Sequence, residues 1–234
     1  MAQKIAILGT GSVGRTFAER LTSLGYDVTI GTRNVDDTLV KTKTDSSGNV
    51  PLTTWLEERN TIRLATFTEA AQQASILFNC TKGDASVDVL TAAGAENLDG
   101  KILIDVANPL DFSNGFPPSL SVCNTNSLAE EIQRAFPSLR VVKTLNTMTA
   151  ALMVNPALLV GDHAVFVCGN DEGAKQETAK LLEVFGWKSA SIIDLGDITN
   201  ARATEMLLPI WVRLYGKFKT PIFNFQINTD AAGQ

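Results

Sequence analysis

The sequence is poor in the residues that most often announce chemistry. It has three cysteines, Cys80, Cys123 and Cys168, widely spaced and with no CxxC pair among them. Its single histidine, His163, has no triad partner near it in sequence and reads as structural. These counts argue against a disulfide framework and against a zinc site, and make a reducing cytoplasm the expected compartment. Long basic runs are missing too. The formal net charge is -5 and the pI about 5.0, which argues against nucleic acid as a partner. The first apolar run starts at Ile5 and stops at Gly9. That is too short for a signal peptide and far too short to span a bilayer, so no membrane partner is expected. Charged residues make up 19%, too few for a disordered chain, and there are no solenoid repeats or low-complexity segments.

What is present is core. Hydrophobic residues make up 44% of 234, enough for one large α/β domain or a nucleotide domain with a small second lobe. Short, mostly continuous apolar runs at 4–8, 27–31, 63–65, 76–80, 101–106 and 140–145 predict parallel strands buried on both faces, with further strands at 163–168 and 191–195. Between them, Val13, Phe17, Leu21 and Leu24 share one helical face ended by Gly25, and residues 68–74, 85–93 and 127–136 predict crossover helices. This alternation predicts an α/β fold: a Rossmann-type, doubly wound, mostly parallel sheet with a small C-terminal lobe. The lobe boundary falls within 145–155, which gives a nucleotide-binding domain at 1–148 and a lobe at 149–234. Residues 34–60 form a long connection with a polar centre, expected to be a mobile flap with a short helix near 52–58. Residues 111–123 read as a loop with a sharp turn. The apolar spacing of 199–216 predicts a helix that Pro209 kinks or splits. The lobe is also where a homodimer contact would fall.

The chemistry begins at Gly9-Thr10-Gly11-Ser12-Val13-Gly14. A bare GxGxxG is a weak pattern; here it follows a strand and opens a helix, the context a dinucleotide loop requires. Gly9 allows the tight turn, Gly11 lets backbone approach a pyrophosphate, and Gly14 lets helix and strand pack closely. Free N–H groups from Thr10 to Val13 and the helix dipole favour the anion. The second strand then bears on the choice of cofactor. A site for NAD usually ends this strand with a carboxylate for the ribose hydroxyls; here Thr32 and Arg33 stand instead, with Asp36 and Asp37 slightly later. Arg33 can pair with a 2′-phosphate and Thr32 can donate to it, so NADP is the expected cofactor.

The strings GTGSVGRTFAERL, GTR, LIDVANPL and KTLNTMTA resemble the NADP-dependent oxidoreductases that use the deazaflavin coenzyme F420, and also the cytoplasmic reductase domain of the STEAP metalloreductases. The resemblance implies NADP on Thr10, Gly11, Ser12 and Val13, with Thr32 and Arg33 on the 2′-phosphate. It implies that Cys80, Thr81, Lys82, Ala107, Asn108 and Pro109 flank the ribose and nicotinamide. Asn146, Thr147 and Met148 would lie near the nicotinamide and a second cofactor. Asn146 stands where archaeal deazaflavin enzymes carry histidine, and the STEAP-like relatives carry Asn-Thr as here, so a flavin (FMN or FAD) stays open beside F420.

Hydride transfer between a nicotinamide and a flavin-like ring needs face-to-face rings in a dry pocket and little acid–base work, so a site without a dedicated catalytic residue is coherent. The expected function is hydride exchange between NADPH and a flavin or deazaflavin, a small-molecule electron acceptor. Met148, Met206 and Trp211 are candidates to line the ring pocket, and the tail around 206–209 to close it, although Met206 and Trp211 also read as core. Two alternatives remain: a dehydrogenase or reductase of a small carbonyl or imine using Lys82 or Lys143 as acid, and a non-catalytic NADPH sensor.

Overall fold

The computed structural model describes residues 2–45 and 48–230. Ten strands and eleven helices follow one another as β1 (Lys4–Leu8), α1 (Ser12–Ser23), β2 (Asp27–Thr32), α2 (Val35–Leu39), α3 (Leu52–Glu57), β3 (Arg63–Thr66), α4 (Phe67–Gln73), β4 (Ile76–Asn79), α5 (Ser86–Ala93), α6 (Ala95–Leu98), β5 (Ile102–Asp105), β6 (Leu110–Asp111), β7 (Ser119–Leu120), α7 (Leu128–Ala135), β8 (Arg140–Thr144), α8 (Ala150–Val154), β9 (Val165–Gly169), α9 (Glu172–Phe185), β10 (Ile192–Asp194), α10 (Ala201–Met206) and α11 (Leu208–Phe218) among the described residues.

Eight strands form one sheet in the order β10-β9-β8-β5-β4-β1-β2-β3. From β3 to β8 every pairing is parallel, the doubly wound arrangement with its order reversing between β1 and β4. β1 shows why its run is continuously apolar. Ile5 and Ile7 enter one core and Ala6 and Leu8 the other, all at most 1% exposed, because helices cover both faces. On the first face α1 buries Phe17, Ala18 and Leu21, and the Phe17 ring lies 4.7 Å from Phe78 and 5.9 Å from Phe185. The second face is packed with alanines and leucines of α4, α5 and α7. Local signals set the helix starts: Thr66 and Glu69 form a reciprocal capping box on α4, and Ser127 caps α7.

The two strands expected in a C-terminal lobe extend this same sheet. β9 runs antiparallel to β8 and carries β10 parallel at the edge, so residue 148 falls just beyond the end of a central strand. The expected tail helix is two helices, broken at Leu207. Pro209 sits in the first turn of α11, where its missing N–H removes no helical bond. The segment expected to be a plain loop after residue 111 contains an antiparallel hairpin, Leu110 opposite Leu120 and Asp111 opposite Ser119. Among the described residues no helix is long and apolar enough to cross a membrane.

Candidate functional site

The glycines of the loop after β1 divide the labour the motif predicts. Gly9 has φ +121° and a Cβ there would lie 2.7 Å from the Cys80 carbonyl oxygen; a Cβ on Gly14 would lie 2.2 Å from the Gly9 oxygen. Both positions require glycine for the fold itself. Gly11 differs: its backbone is extended (φ -75°, ψ -177°) and, among the described residues, nothing beyond its own chain neighbours and helix lies within 4 Å of an added Cβ. Gly11 is the N-cap of α1 and supplies no capping side chain, and the first turn carries no carboxylate. The helix therefore presents unsatisfied N–H groups to an open space, the chemistry of an anion cradle.

That cradle opens on a cavity of about 740 Å³ at the carboxyl ends of the strands. Ser12, Val13, Cys80, Thr81, Lys82, Ala107, Asn108, Asn146 and Met148 all line it, so loops distant in sequence converge as expected. Pro109 and Thr147 lie buried beneath and do not reach it. Thr10 and Gly11 border a second, smaller space of about 150 Å³ shared with Arg15, Lys41 and Lys43. Arg15 ties this side together, donating to the Thr10 and Val50 carbonyls, while Ser12 donates to Asn49 at 3.0 Å. The expected flap is thus joined to the glycine loop at Asn49 and Val50; Ser46 and Ser47 at its centre lie outside the described residues.

Two expected donors are already engaged. Thr38 donates its hydroxyl proton to the Asn34 carbonyl at 2.7 Å, and its oxygen sits 2.7 Å from the Thr32 hydroxyl, so Thr32 must donate to Thr38. At 8% exposure, Thr32 holds its hydroxyl on Thr38 rather than in open solvent. Arg33 is exposed and, among the described residues, has no ion-pair partner. Asp36 and Asp37 occupy the first turn of α2, where they complement its dipole. Asn146 lines the cavity, but its side-chain nitrogen donates to Asn108 Oδ1 at 2.9 Å and to the Thr204 carbonyl at 3.1 Å, and Asn108 returns a bond to the Asn146 carbonyl. The pair clamps two strand ends together. Leu145 just before it has φ +62°, a left-handed turn that costs a leucine on the order of 1 kcal/mol and redirects the chain towards Asn108.

Beneath the cavity lies a buried ionic cluster. The Lys143 ammonium, 0% exposed, contacts Asp105 Oδ2 and Glu205 Oε1, each at 2.9 Å, and the Ala107 carbonyl. Burial pulls the Lys143 pKa down, but the two carboxylates outweigh it and hold the pKa above the ordinary lysine value. Glu205 also accepts from the Leu128 and Ala129 amides at the start of α7. Asp105 accepts from Asn79, whose oxygen accepts in turn from Thr81. All three ammonium protons are used and none faces the cavity, so Lys143 is no proton donor to a substrate. Lys82 is exposed on the cavity rim. Burial, then the Asp105 charge, pushes the Cys80 thiol far up, so it is a neutral wall. His163 is structural: Asn224 donates to Nδ1 at 2.9 Å, Nε2 bonds the Pro156 carbonyl at 3.1 Å, and the ring packs edge-on against Trp187. Among the described residues no His/Cys/Asp/Glu group could hold a metal.

Of the tail residues weighed for the pocket, Trp211 lines the cavity together with Leu208 of α11, whereas Met206 is 39% exposed and does not. Gly83 is a fourth site glycine: its Cβ would lie 2.3 Å from the Asn108 oxygen, so the loops after β4 and β5 touch. Phe112 from the hairpin also lines the cavity, although it is 58% exposed. No sequence signal marked Gly83 or Phe112, because their partners are remote in sequence.

Residues 4–109 match the family described as NADP oxidoreductase, coenzyme F420-dependent. A solved protein of Arthrobacter sp. FB24, provisionally named an F420-dependent NADP-reductase, is 54% identical with a TM-score of 0.91, over 97% of this chain and 100% of that one. The metalloreductase STEAP3 of Rattus norvegicus is 29% identical over 216 residues, which are 90% of this chain and only 38% of that protein. An imine reductase of Aspergillus terreus, solved with NADPH4, is 18% identical with a TM-score of 0.61, over 94% of this chain and 63% of that one, a likeness of fold alone.

Proposed function

The chain belongs to the family of coenzyme F420-dependent NADP oxidoreductases and is an NADP-dependent oxidoreductase, and from that premise we propose that it passes hydride between NADPH and a flavin or deazaflavin ring. The observation that carries this reading is the open space at Gly11 on an uncapped helix start whose next residues, Ser12 and Val13, line the cavity at the strand ends. In this reading the N–H groups of Thr10, Gly11, Ser12 and Val13 hold the pyrophosphate, and Arg33 holds the 2′-phosphate as a charge-assisted pair. Cys80, Thr81, Lys82, Ala107 and Asn108 shape the ribose and nicotinamide walls, with Pro109 buried behind them. Asn146 and Met148 set the far wall, with Thr147 buried behind them and the Asn108–Asn146 clamp holding it in place.

Bound there, NADPH supplies a hydride to the acceptor ring. The protein contributes orientation and exclusion of water: Val13, Val106, Met148, Met153 and Leu208 form an apolar surround, and the neutral thiol of Cys80 adds no charge. No side chain need move a proton in the hydride step.

The test is anaerobic NADPH oxidation with F420, FMN, FAD and ferric chelates in parallel. Turnover with a flavin or deazaflavin supports the reading; turnover with none of the acceptors would leave binding without reduction and contradict it. Met148→Trp refines the geometry. Met148 is 5% exposed and faces the cavity, so the larger indole should occupy the acceptor's place. The expected result is an at least tenfold loss of kcat/KM, about 1.4 kcal/mol, with NADPH affinity within about twofold of the parent. Unchanged turnover, or lost NADPH binding, places the acceptor elsewhere.

A further inference from the structure

Resting on the NADP-dependent hydride-transfer reading, we infer that the segment between α2 and α3 completes the site for the cofactor's 2′-phosphate, with Lys41 and Lys43 as specificity-determining cations that share this role with Arg33. Arg15 is the anomaly that points there. It is 9% exposed and, among the described residues, has no carboxylate in an ion pair with it. Its Nε donates to the Thr10 carbonyl at 3.0 Å and its Nη1 to the Val50 carbonyl at 2.7 Å. Burial pulls its pKa below the ordinary guanidinium value, by more than the Asp45 charge restores. A buried cation held by neutral carbonyls marks a place where negative charge is missing.

The space that Arg15 borders has room for that charge. At about 150 Å³ it equals about five waters of roughly 30 Å³ each, enough for a phosphate group. Lys41 and Lys43 line it with Thr10, Gly11 and Thr38, and the Thr38 hydroxyl lies 2.7 Å from that of Thr32. The space therefore lies between the glycine loop and the end of β2, the interval where a Rossmann site receives the 2′ position of the adenosine ribose. Both lysines are exposed and, among the described residues, neither has an ion-pair partner. Asp45 is the one carboxylate among the lining residues, and it accepts the Asn49 backbone N–H at 2.9 Å and the Asn49 side-chain amide at 2.8 Å. Asn49 accepts from Ser12 in turn, so the lysines are borne on a segment fastened to the glycine loop at Asn49 and Val50. Three cations against one carboxylate give the space a positive field, which favours a dianion and weakens with ionic strength.

The experiment titrates 2′,5′-ADP and ADP by calorimetry into the parent, Lys41→Gln/Lys43→Gln, Arg33→Gln and the combined triple variant, at low and high salt. The two probes share adenosine and the 5′ side and differ in bearing a 2′-phosphate. The flap double variant is expected to lose about tenfold in affinity for 2′,5′-ADP, less at high salt, and to bind ADP within about twofold of the parent. Arg33→Gln is expected to keep part of the preference for 2′,5′-ADP, and the triple variant to lose it. Unchanged 2′,5′-ADP affinity in the flap double variant would overturn the inference and leave the NADP site at Arg33 standing. Equal losses for both probes would also overturn it, because the lysines would then serve the 5′ phosphates. A parent that binds 2′,5′-ADP no better than ADP would overturn the inference and the NADP reading together. Circular dichroism melts of each variant separate loss of binding from loss of fold.

Discussion

Gly11→Val should lose NADPH affinity by a factor of about 100 or more, roughly 2.7 kcal/mol, and still fold. Gly14→Val should fail to fold. The two glycines are three residues apart in one motif, yet their surroundings are opposite. A Cβ at Gly14 would overlap the Gly9 oxygen at 2.2 Å, backbone against backbone, and nothing nearby can yield. At Gly11 the backbone angles suit any residue, and among the described residues nothing beyond its own chain neighbours and helix lies within 4 Å of an added Cβ. Among the described residues a side chain there meets open space, so the expected casualty is a ligand. Its cost to the folded protein is the small loss from an imperfect N-cap, a few tenths of a kcal/mol. Circular dichroism and calorimetric titration of both variants give the answer. If Gly11→Val binds NADPH within about threefold of the parent, the loop is not the phosphate site.

Lys143→Met carries the largest expected stability effect. It leaves Asp105 and Glu205 facing one another at 0–1% exposure with no cation between them. Breaking one partner out of a buried ion cluster costs about 3–5 kcal/mol, which for a chain of this size lowers Tm by about 6–20 °C. The double variant Lys143→Met/Glu205→Gln removes one of the stranded charges and should recover part of the loss. Chemical denaturation of the three proteins measures it; a loss under about 1 kcal/mol for Lys143→Met would mean that the cluster is not holding the strand ends. The pH dependence has a definite sign. The folded pKa of Lys143 is raised, so its contribution is complete below the unfolded value of about 10.4 and disappears only as pH rises through the folded one. The contribution of Lys143 is flat across neutral pH.

The half of the site built from local sequence was legible, and the half built from remote partners was not. β1, the glycine loop and α1 follow from an apolar run, three glycines at fixed spacing and a helical stripe, each of which acts within a dozen residues. Thr32 illustrates the limit. A hydroxyl after the second strand is a good phosphate donor by residue type, but whether its proton is free depends on Thr38, and only the turn into α2 brings Thr38 to 2.7 Å. Asn146 does line the cavity, but that its amide is bonded to Asn108 and Thr204 was equally hidden from the sequence. Lys143 looks like a lone polar interruption of a strand until β5 and α10 bring Asp105 and Glu205 to it. The hairpin at 110–120 was read as a loop because each strand is two residues long, below any periodic signal. The late strands were visible as strands; that β9 would pair antiparallel with β8 and extend the main sheet is a fact of topology that apolar runs do not encode.

The central claim, a cofactor site built for NADP, is tested most directly by titrating the protein with NADPH and with NADH in the same buffer by calorimetry. With Arg33 exposed, unpaired and aimed at no carboxylate among the described residues, NADPH should bind about 10–100-fold more tightly, which corresponds to roughly 1.5–3 kcal/mol of charge-assisted bonding. Equal affinities for the two nucleotides would contradict it.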